Sequence, residues 1–270
     1  GYVHSLYPTG ESVHLIAGGA LAAGMEAARR ITFQAADPHS VTLEDQLHAA
    51  FIAFMDEWGD FEPPEKHAKN LVNTFSALRH YLETHPPAED EIQPLRRPDG
   101  SPAIEYTFSL ELPVLHPDGA PMFYVGRFDM LGVYSVPGAT LHCILDDKTT
   151  ASLGQYWADS WDLRGQFIGY IWACRQHGIP LSHAAVRGIT IQKTQNEVRT
   201  ALPEFPIFMI ERWEREMIRT VRDIVDDYTH YSQLVAHNPE RIFDPRGDVY
   251  RYDFADACNS YGGCAFSTLC

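Results

Sequence analysis

The sequence predicts an α/β protein: a central mixed sheet flanked by helices, preceded by a helical N-terminal region and followed by a cysteine-bearing tail. Three observations predict it. Apolar residues recur at helical spacing through the first third of the chain. The period changes to two from Ile104 to Tyr134. After that, short apolar runs alternate with long amphipathic ones, separated by Gly and Pro. With 270 residues the chain can build one large domain or two small ones. The pattern reads as a single domain over residues 1–270. Its segments are a helical N-terminal region (residues 1–84), a core (residues 103–194), a long helix (residues 205–235) and a tail (residues 239–270).

The first helix spans about Val13 to Ile31, starting near a Gly18-Gly19 turn. Thr42-Leu43-Glu44-Asp45 resembles a capping box, and Leu47, Ala50, Phe51 and Phe54 follow it on one face. A third helix is expected from Pro64 to Leu82. The stretch His85 to Pro102, rich in Pro and charge, reads as a surface loop. Ile104, Tyr106, Phe108 and Leu110 alternate with Glu105, Thr107, Ser109 and Glu111, as in a half-buried strand. His116-Pro117-Asp118-Gly119 is a turn, Met122 to Tyr134 the returning strand, and Leu141 to Asp146 a short apolar strand. Tyr156 to His177 reads as one long helix, Ala184 to Gln192 as a strand, and Phe205 to Val235 as a long helix with Ile210, Trp213, Met217, Val221 and Ile224 on its apolar face.

Composition narrows the function. Hydrophobic residues make up 45% and charged residues 21%, ordinary for a globular protein. A formal charge of −15 argues against a passive nucleic-acid coat, although a local basic groove can coexist with an acidic exterior. No apolar run approaches the roughly 20 residues that span a bilayer, so no membrane association is expected. Five cysteines, three of them in the last thirteen residues, do not resemble a secreted disulfide framework and fit a reducing compartment.

Two strands carry charge where an apolar residue would be expected. Asp129 interrupts Gly126-Arg127-Phe128-Asp129-Met130, and Asp146, Asp147 and Lys148 close Ile144-Leu145. A buried carboxylate needs a partner. A hard divalent cation is one: Mg²⁺ takes oxygen ligands, commonly one or two carboxylates with water and phosphate. Asp129 and Asp146, on strands joined by a tight turn, could converge on one ion. Asp146 and Lys148 share a strand face, whereas Asp147 points the other way and reads as a solvated neighbour. The plainer alternative is strand-end carboxylates in salt bridges, with Lys148 as a partner.

This ordered set, Gly126-x-x-Asp129, then an apolar strand ending Asp146-x-Lys148-Thr149, then Gln166-x-x-x-Tyr170, resembles the signature of the PD-(D/E)XK nucleases, the RecB-like exonuclease branch in particular. It covers roughly the middle third of the chain. The resemblance implies a restriction-endonuclease-like core and metal-dependent phosphodiester hydrolysis of DNA, single-stranded or at duplex ends, in DNA processing, recombination or repair. Asp129, Asp146 and the backbone carbonyl of Asp147 would hold Mg²⁺ or Mn²⁺. Lys148 would assist the attacking water, Gln166 would orient Lys148 or a phosphate, and Tyr170 would support the site or contact DNA. Glu105 stands where relatives often carry an acid. Arg187 and Lys193 are candidates for phosphate contact, and the arginines 212, 215, 219 and 222 read as a solvated helix face. A bacterial cytoplasm, or that of a host if the gene is a phage's, is the implied compartment, and a protein partner in a recombination or repair complex is implied too.

Two features depart from the family. Its first helix carries Gly-Thr-x-x-His-x-x-x-Glu, but Gly18 to Glu26 places Ala22 where the His would be, with His14 nearby. Cys258-x5-Cys264-x5-Cys270 resembles the tail of the iron–sulfur members, AddB and the CRISPR-associated exonucleases among them, where one earlier cysteine completes a [4Fe–4S] site. No cysteine precedes Cys143, so the resemblance puts that ligand upstream of Gly1; otherwise the three thiols bind zinc with another ligand, or bind nothing. Cys143 and Cys174 read as ordinary buried residues. Two alternatives stay open: a catalytically weak module that binds nucleic acid or a protein, and an iron–sulfur protein without nuclease activity.

Overall fold

The structure, a computed structural model, describes residues 12–136 and 138–237. The tail cysteines Cys258, Cys264 and Cys270 lie outside the described residues. Helix α1 (Val13–Gln34) buries Ala17, Ala20, Leu21, Gly24, Met25, Ala28, Arg29, Thr32 and Phe33, a stripe at helical spacing. Gly18 and Gly19 fall inside it, not at a turn before it. Small residues let its neighbours come close: a Cβ on Gly24 would lie 2.4 Å from Leu78 Cδ2 and 3.1 Å from the Ala50 carbonyl oxygen. Helix α2 (Leu43–Trp58) has the expected capping box between Thr42 and Asp45. Helix α3 (Leu71–Thr84) starts seven residues later than expected, because the Asn70 side chain accepts the Asn73 amide at 2.9 Å and caps it there. Residues 64–70 form a turn instead.

The sheet is mixed and six-stranded. Strands β1 (Ile92–Pro94), β3 (Pro121–Val136), β4 (Ala139–Thr150), β5 (His183–Thr190) and β6 (Val198–Ala201) lie side by side in that order, and β2 (Ile104–Leu115) also pairs with β3. Strands β4 and β5 run parallel, whereas β1–β3, β3–β4 and β5–β6 are antiparallel. Strand β1 falls in the expected surface loop: Ile92 is buried and pairs with Tyr134. Strand β6, read as loop, pairs with β5 from Val186↔Ala201 to Ile189↔Val198. The expected helix 156–177 is two, α4 (Gln155–Asp159) and α5 (Gly165–Gln176). Helix α6 spans Ile207–His237.

Alternation along the central strands sorts the core. Leu145 and Ala185 pack with Phe33 of α1, Ile92, Ile104, Met130 and Cys143. Ile189 joins the α1, α2 and α3 cluster around Leu21, Phe54, Leu78 and Tyr81. Helix α5, with Phe167, Ile168, Ile171 and Trp172 buried, packs on β4 and β5 from the other face.

The chain divides into two compact units. Of the described residues, Ser12–Leu110 and Val125–Glu214 form one, which contains all the site residues discussed below. Glu111–Tyr124 and the helix from Arg215 belong to the other; there the expected turn closes with Gly119 at φ 86, and His116 lies 5.2 Å from the Tyr228 ring. No described helix is long and apolar enough to cross a membrane.

Candidate active site

The hydrogen-bonded ladder between β3 and β4 runs from Val136↔Ala139 to Met130↔Leu145 and stops. The next pair in that register is Asp129 and Asp146. The reason it stops is chemical: the Asp147 amide, which a ladder would pair with a carbonyl, donates instead to Asp129 Oδ2 at 2.7 Å. The 17-residue spacing and the antiparallel register thus set the two carboxylates opposite each other. Strand β4 continues past them to Thr150, so Asp146 and Lys148 lie within the strand, not at its end.

Lys148 forms an ion pair with Asp146, whose side chain is buried, while Lys148 itself stays about one-third exposed (31%). Burial, then the negative charges of Asp147 and Asp146, hold the Asp129 carboxyl well above the usual carboxylate range. Burial raises Asp146 too, and Lys148 offsets only part of that. Burial works against the Lys148 ammonium, yet the bond to Asp146 and the charge of Asp129 outweigh it, so its pKa lies above that of a free lysine. The site therefore holds two carboxylates that resist ionising together, beside one cation.

Gln166 and Tyr170 meet one helical turn apart on α5: Gln166 Nε2 donates to the Tyr170 hydroxyl at 2.9 Å. Gln166 is exposed and reaches Tyr170 rather than Lys148. Tyr170 is half-buried. Burial raises its hydroxyl above the ordinary value, the charges of Asp146 and Asp129 add to that, and the bond from Gln166 offsets only part of it. Its ring lies 5.3 Å from Phe128 and 6.0 Å from Phe108. That packing explains Gly126: a Cβ there would lie 2.4 Å from Phe108 Cζ, so the glycine of Gly-x-x-Asp makes room for the ring.

The opposite face of β4 corrects two expectations. Asp147 is not solvated. Its side chain is 1% exposed and pairs with Arg29 of α1, 5% exposed, at 2.7 Å. Arg29 also donates to the Tyr81 hydroxyl at 2.9 Å, and Tyr81 accepts from Arg187 at 2.7 Å. Arg187, offered as a phosphate contact, is 0% exposed. It pairs in register with Asp147, points the same way, and is held by both oxygens of Asp90 and by Thr200 Oγ1. A guanidinium so enclosed cannot meet a ligand. Lys193 is exposed, in the turn between β5 and β6. Glu105 pairs with Arg127 at 2.9 Å, and burial, then Glu26, raise its pKa. Ala22 lies on α1 with no donor to offer.

The network Arg29–Asp147–Tyr81–Arg187–Asp90 is what sequence reasoning missed. A signal existed for Arg29: it falls on the buried stripe of α1, four residues after Met25. Two neighbours of Lys148 also escaped notice. Lys148 pairs with Gly188, and a Cβ on Gly188 would lie 2.3 Å from Leu153 Cδ2 and 2.4 Å from Trp157 Cζ2. The segment after β4 is therefore pinned over the strand position beside Lys148.

Among the described residues no three His, Cys, Asp or Glu side chains converge as a complete metal cage. The donors that do face each other are oxygens of two carboxylates whose charges repel. Those donors fit a hard divalent cation that keeps water or phosphate in its remaining positions.

No family model matches the chain, and no curated protein matches it. Solved structures similar to it include a "Putative exonuclease" from Eubacterium rectale, 14% identical over 83% of this chain and 70% of that chain, with a TM-score of 0.45. Another is SSO0001, 13% identical over 81% of each chain, with a TM-score of 0.28.

Proposed function

We propose that the chain is a metal-dependent deoxyribonuclease of the RecB-like kind, acting on DNA ends or single strands. The observation that carries this reading is the pairing of Asp129 with Asp146 across β3 and β4, with Lys148 bonded to Asp146 and the Asp147 amide bonded to Asp129. Asp129, Asp146 and the Asp147 carbonyl would hold Mg²⁺ or Mn²⁺, which when bound supplies positive charge to a phosphate and acidifies a water. Lys148 is the proton-bearing group at the site. Held by Asp146, its ammonium positions the attacking water and offsets negative charge growing on the phosphate. The Gln166–Tyr170 pair offers a donor at the exposed rim for a phosphate oxygen. Lys193 contacts the backbone farther along.

The test is cleavage of end-labelled single-stranded and duplex DNA, linear and circular, with Mg²⁺, Mn²⁺ or EDTA. Cleavage that needs metal and is lost in Asp146→Ala and Lys148→Ala is the expected result. Preference for linear over circular substrate identifies an exonuclease. Metal-independent cleavage sinks the metal-dependent reading, and no cleavage from folded protein sinks the nuclease reading and favours the binding module that Ala22 suggests.

A further inference from the structure

Lys69 has no place in the site just described. It lies in the turn before α3, beside the cap residue Asn70, and its Nζ donates to Thr149 Oγ1 at 3.0 Å. It is half-buried, and burial lowers its pKa with no carboxylate offsetting the loss. The most enclosed cations and Lys148 each have an anion: Arg29 has Asp147, Arg187 has Asp90, Lys148 has Asp146; the half-buried Arg97 and Arg199 bond instead to the main-chain oxygens of Ile104 and Leu153. Among the described residues no carboxylate pairs with Lys69. A cation taken from water is costly unless an opposite charge meets it.

The side chains beside Lys69 are neutral or basic, not acidic. The His67 ring accepts the Lys69 amide through Nδ1 at 3.1 Å. The His14 ring, exposed on the first turn of α1, meets His67 edge-on with centroids 5.6 Å apart. Two imidazoles thus lie beside the residue whose ammonium meets the Thr149 hydroxyl, and burial, then the charge of Lys69, lowers the pKa of His14, all in a chain whose net charge is −15. That is the composition of an anion site, and phosphate is the anion whose several oxygens use such a set.

Thr149 follows Lys148 and projects from the opposite face of β4, one residue before the strand ends. A nucleic-acid backbone crossing that end of the strand would pass Lys148 on one side and Lys69 on the other. We propose that Lys69, Thr149, His67 and His14 bind a phosphate of the nucleic-acid chain next to the one that is cut. The choice of nucleic acid rests on the nuclease reading; the anion site itself does not.

The experiment follows the ring signals of His14 and His67 by NMR in the full chain, at constant ionic strength, as inorganic phosphate is added. Saturable shifts are expected in the native protein and in Lys69→Arg, and their loss in Lys69→Met. A second arm measures binding of a short labelled single strand in EDTA at several salt concentrations. The slope of log affinity against log salt should be shallower by about 0.7 in Lys69→Met, one phosphate contact fewer. Strands with a 5′-hydroxyl and a 5′-phosphate separate an internal phosphodiester from a terminal phosphate. Thermal unfolding shows whether Lys69→Met is folded; if it is not, Thr149→Val takes its place, with weaker phosphate-induced ring shifts expected and the salt slope unchanged. Ring signals that ignore inorganic phosphate overturn the site even if DNA is cut. Ring signals that respond to it in a protein that cuts no DNA leave the anion site standing and overturn the nuclease reading instead.

Discussion

The two faces of β4 carry the same chemistry and put it to different uses. On one face Asp146 pairs with Lys148, and the lysine remains about one-third exposed. On the other, Asp147 pairs with Arg29, and both side chains are sealed. Three consecutive residues, Asp-Asp-Lys, are divided by strand alternation into a pair that can meet a ligand and a carboxylate that cannot. The difference lies in what covers each face. Helices α1 and α3 close over Asp147 and Arg187, whereas α5 leaves Lys148 partly open. Local sequence chose the charges, and the helices decided which charge a ligand can reach.

The comparison can be tested from both sides. The largest effect is expected on the open face: Lys148→Ala should lower the cleavage rate by about 10²–10⁴-fold, with a smaller loss in unfolding than on the sealed face because Lys148 is partly exposed. A stability loss with no rate effect would make the pair structural after all. On the sealed face the expectation reverses. Arg29→Met leaves Asp147 buried without its cation and should cost about 3–5 kcal/mol in urea unfolding, much of which Arg29→Met with Asp147→Asn should recover. A loss under about 1 kcal/mol would show that water reaches this face.

A smaller effect tests how the open face is bounded. Gly188→Ala pushes a methyl into Leu153 and Trp157 and should cost about 1–3 kcal/mol, shifting the segment beside Lys148. Wild-type stability there would mean that the segment moves freely. The mildest effect is on pH. Asp129 and Asp146 have raised pKa values when folded, so they take up protons more readily folded than unfolded. In EDTA they add no penalty below the ordinary carboxylate value of about 3.9. The penalty grows as pH rises from there through the folded values, then stays constant. Melting temperature against pH, compared between native protein and Asp146→Asn, should show that decline reduced in the variant. Identical curves would mean that the two carboxylates do not oppose each other.

Several elements were legible because their causes are local. The Thr42 capping box, the His116–Gly119 turn and the period-two run from Ile104 need only near neighbours in sequence. Elements without local propensity were missed. Strand β1 follows a stretch rich in Pro and charge, and β6 is four residues with two charged or polar side chains among them; both exist because an edge of the sheet offers them main-chain partners. The helix expected over 156–177 breaks because Trp157 is drawn into the space above Gly188, a contact about thirty positions away in the chain.

The sequence by itself determined which charged residues interrupt the apolar strands and in what order along the chain. Spacing and alternation are enough to set Asp146 with Lys148 and to oppose Asp129 to Asp146 once a hairpin forms. Only the tertiary structure decided that Asp147 and Arg187 are enclosed, that Gln166 reaches Tyr170, and that Lys69 lies against Thr149. Each of those depends on surroundings that the local pattern does not fix, and burial depends on everything packed around a residue at once, which no short run of residues encodes.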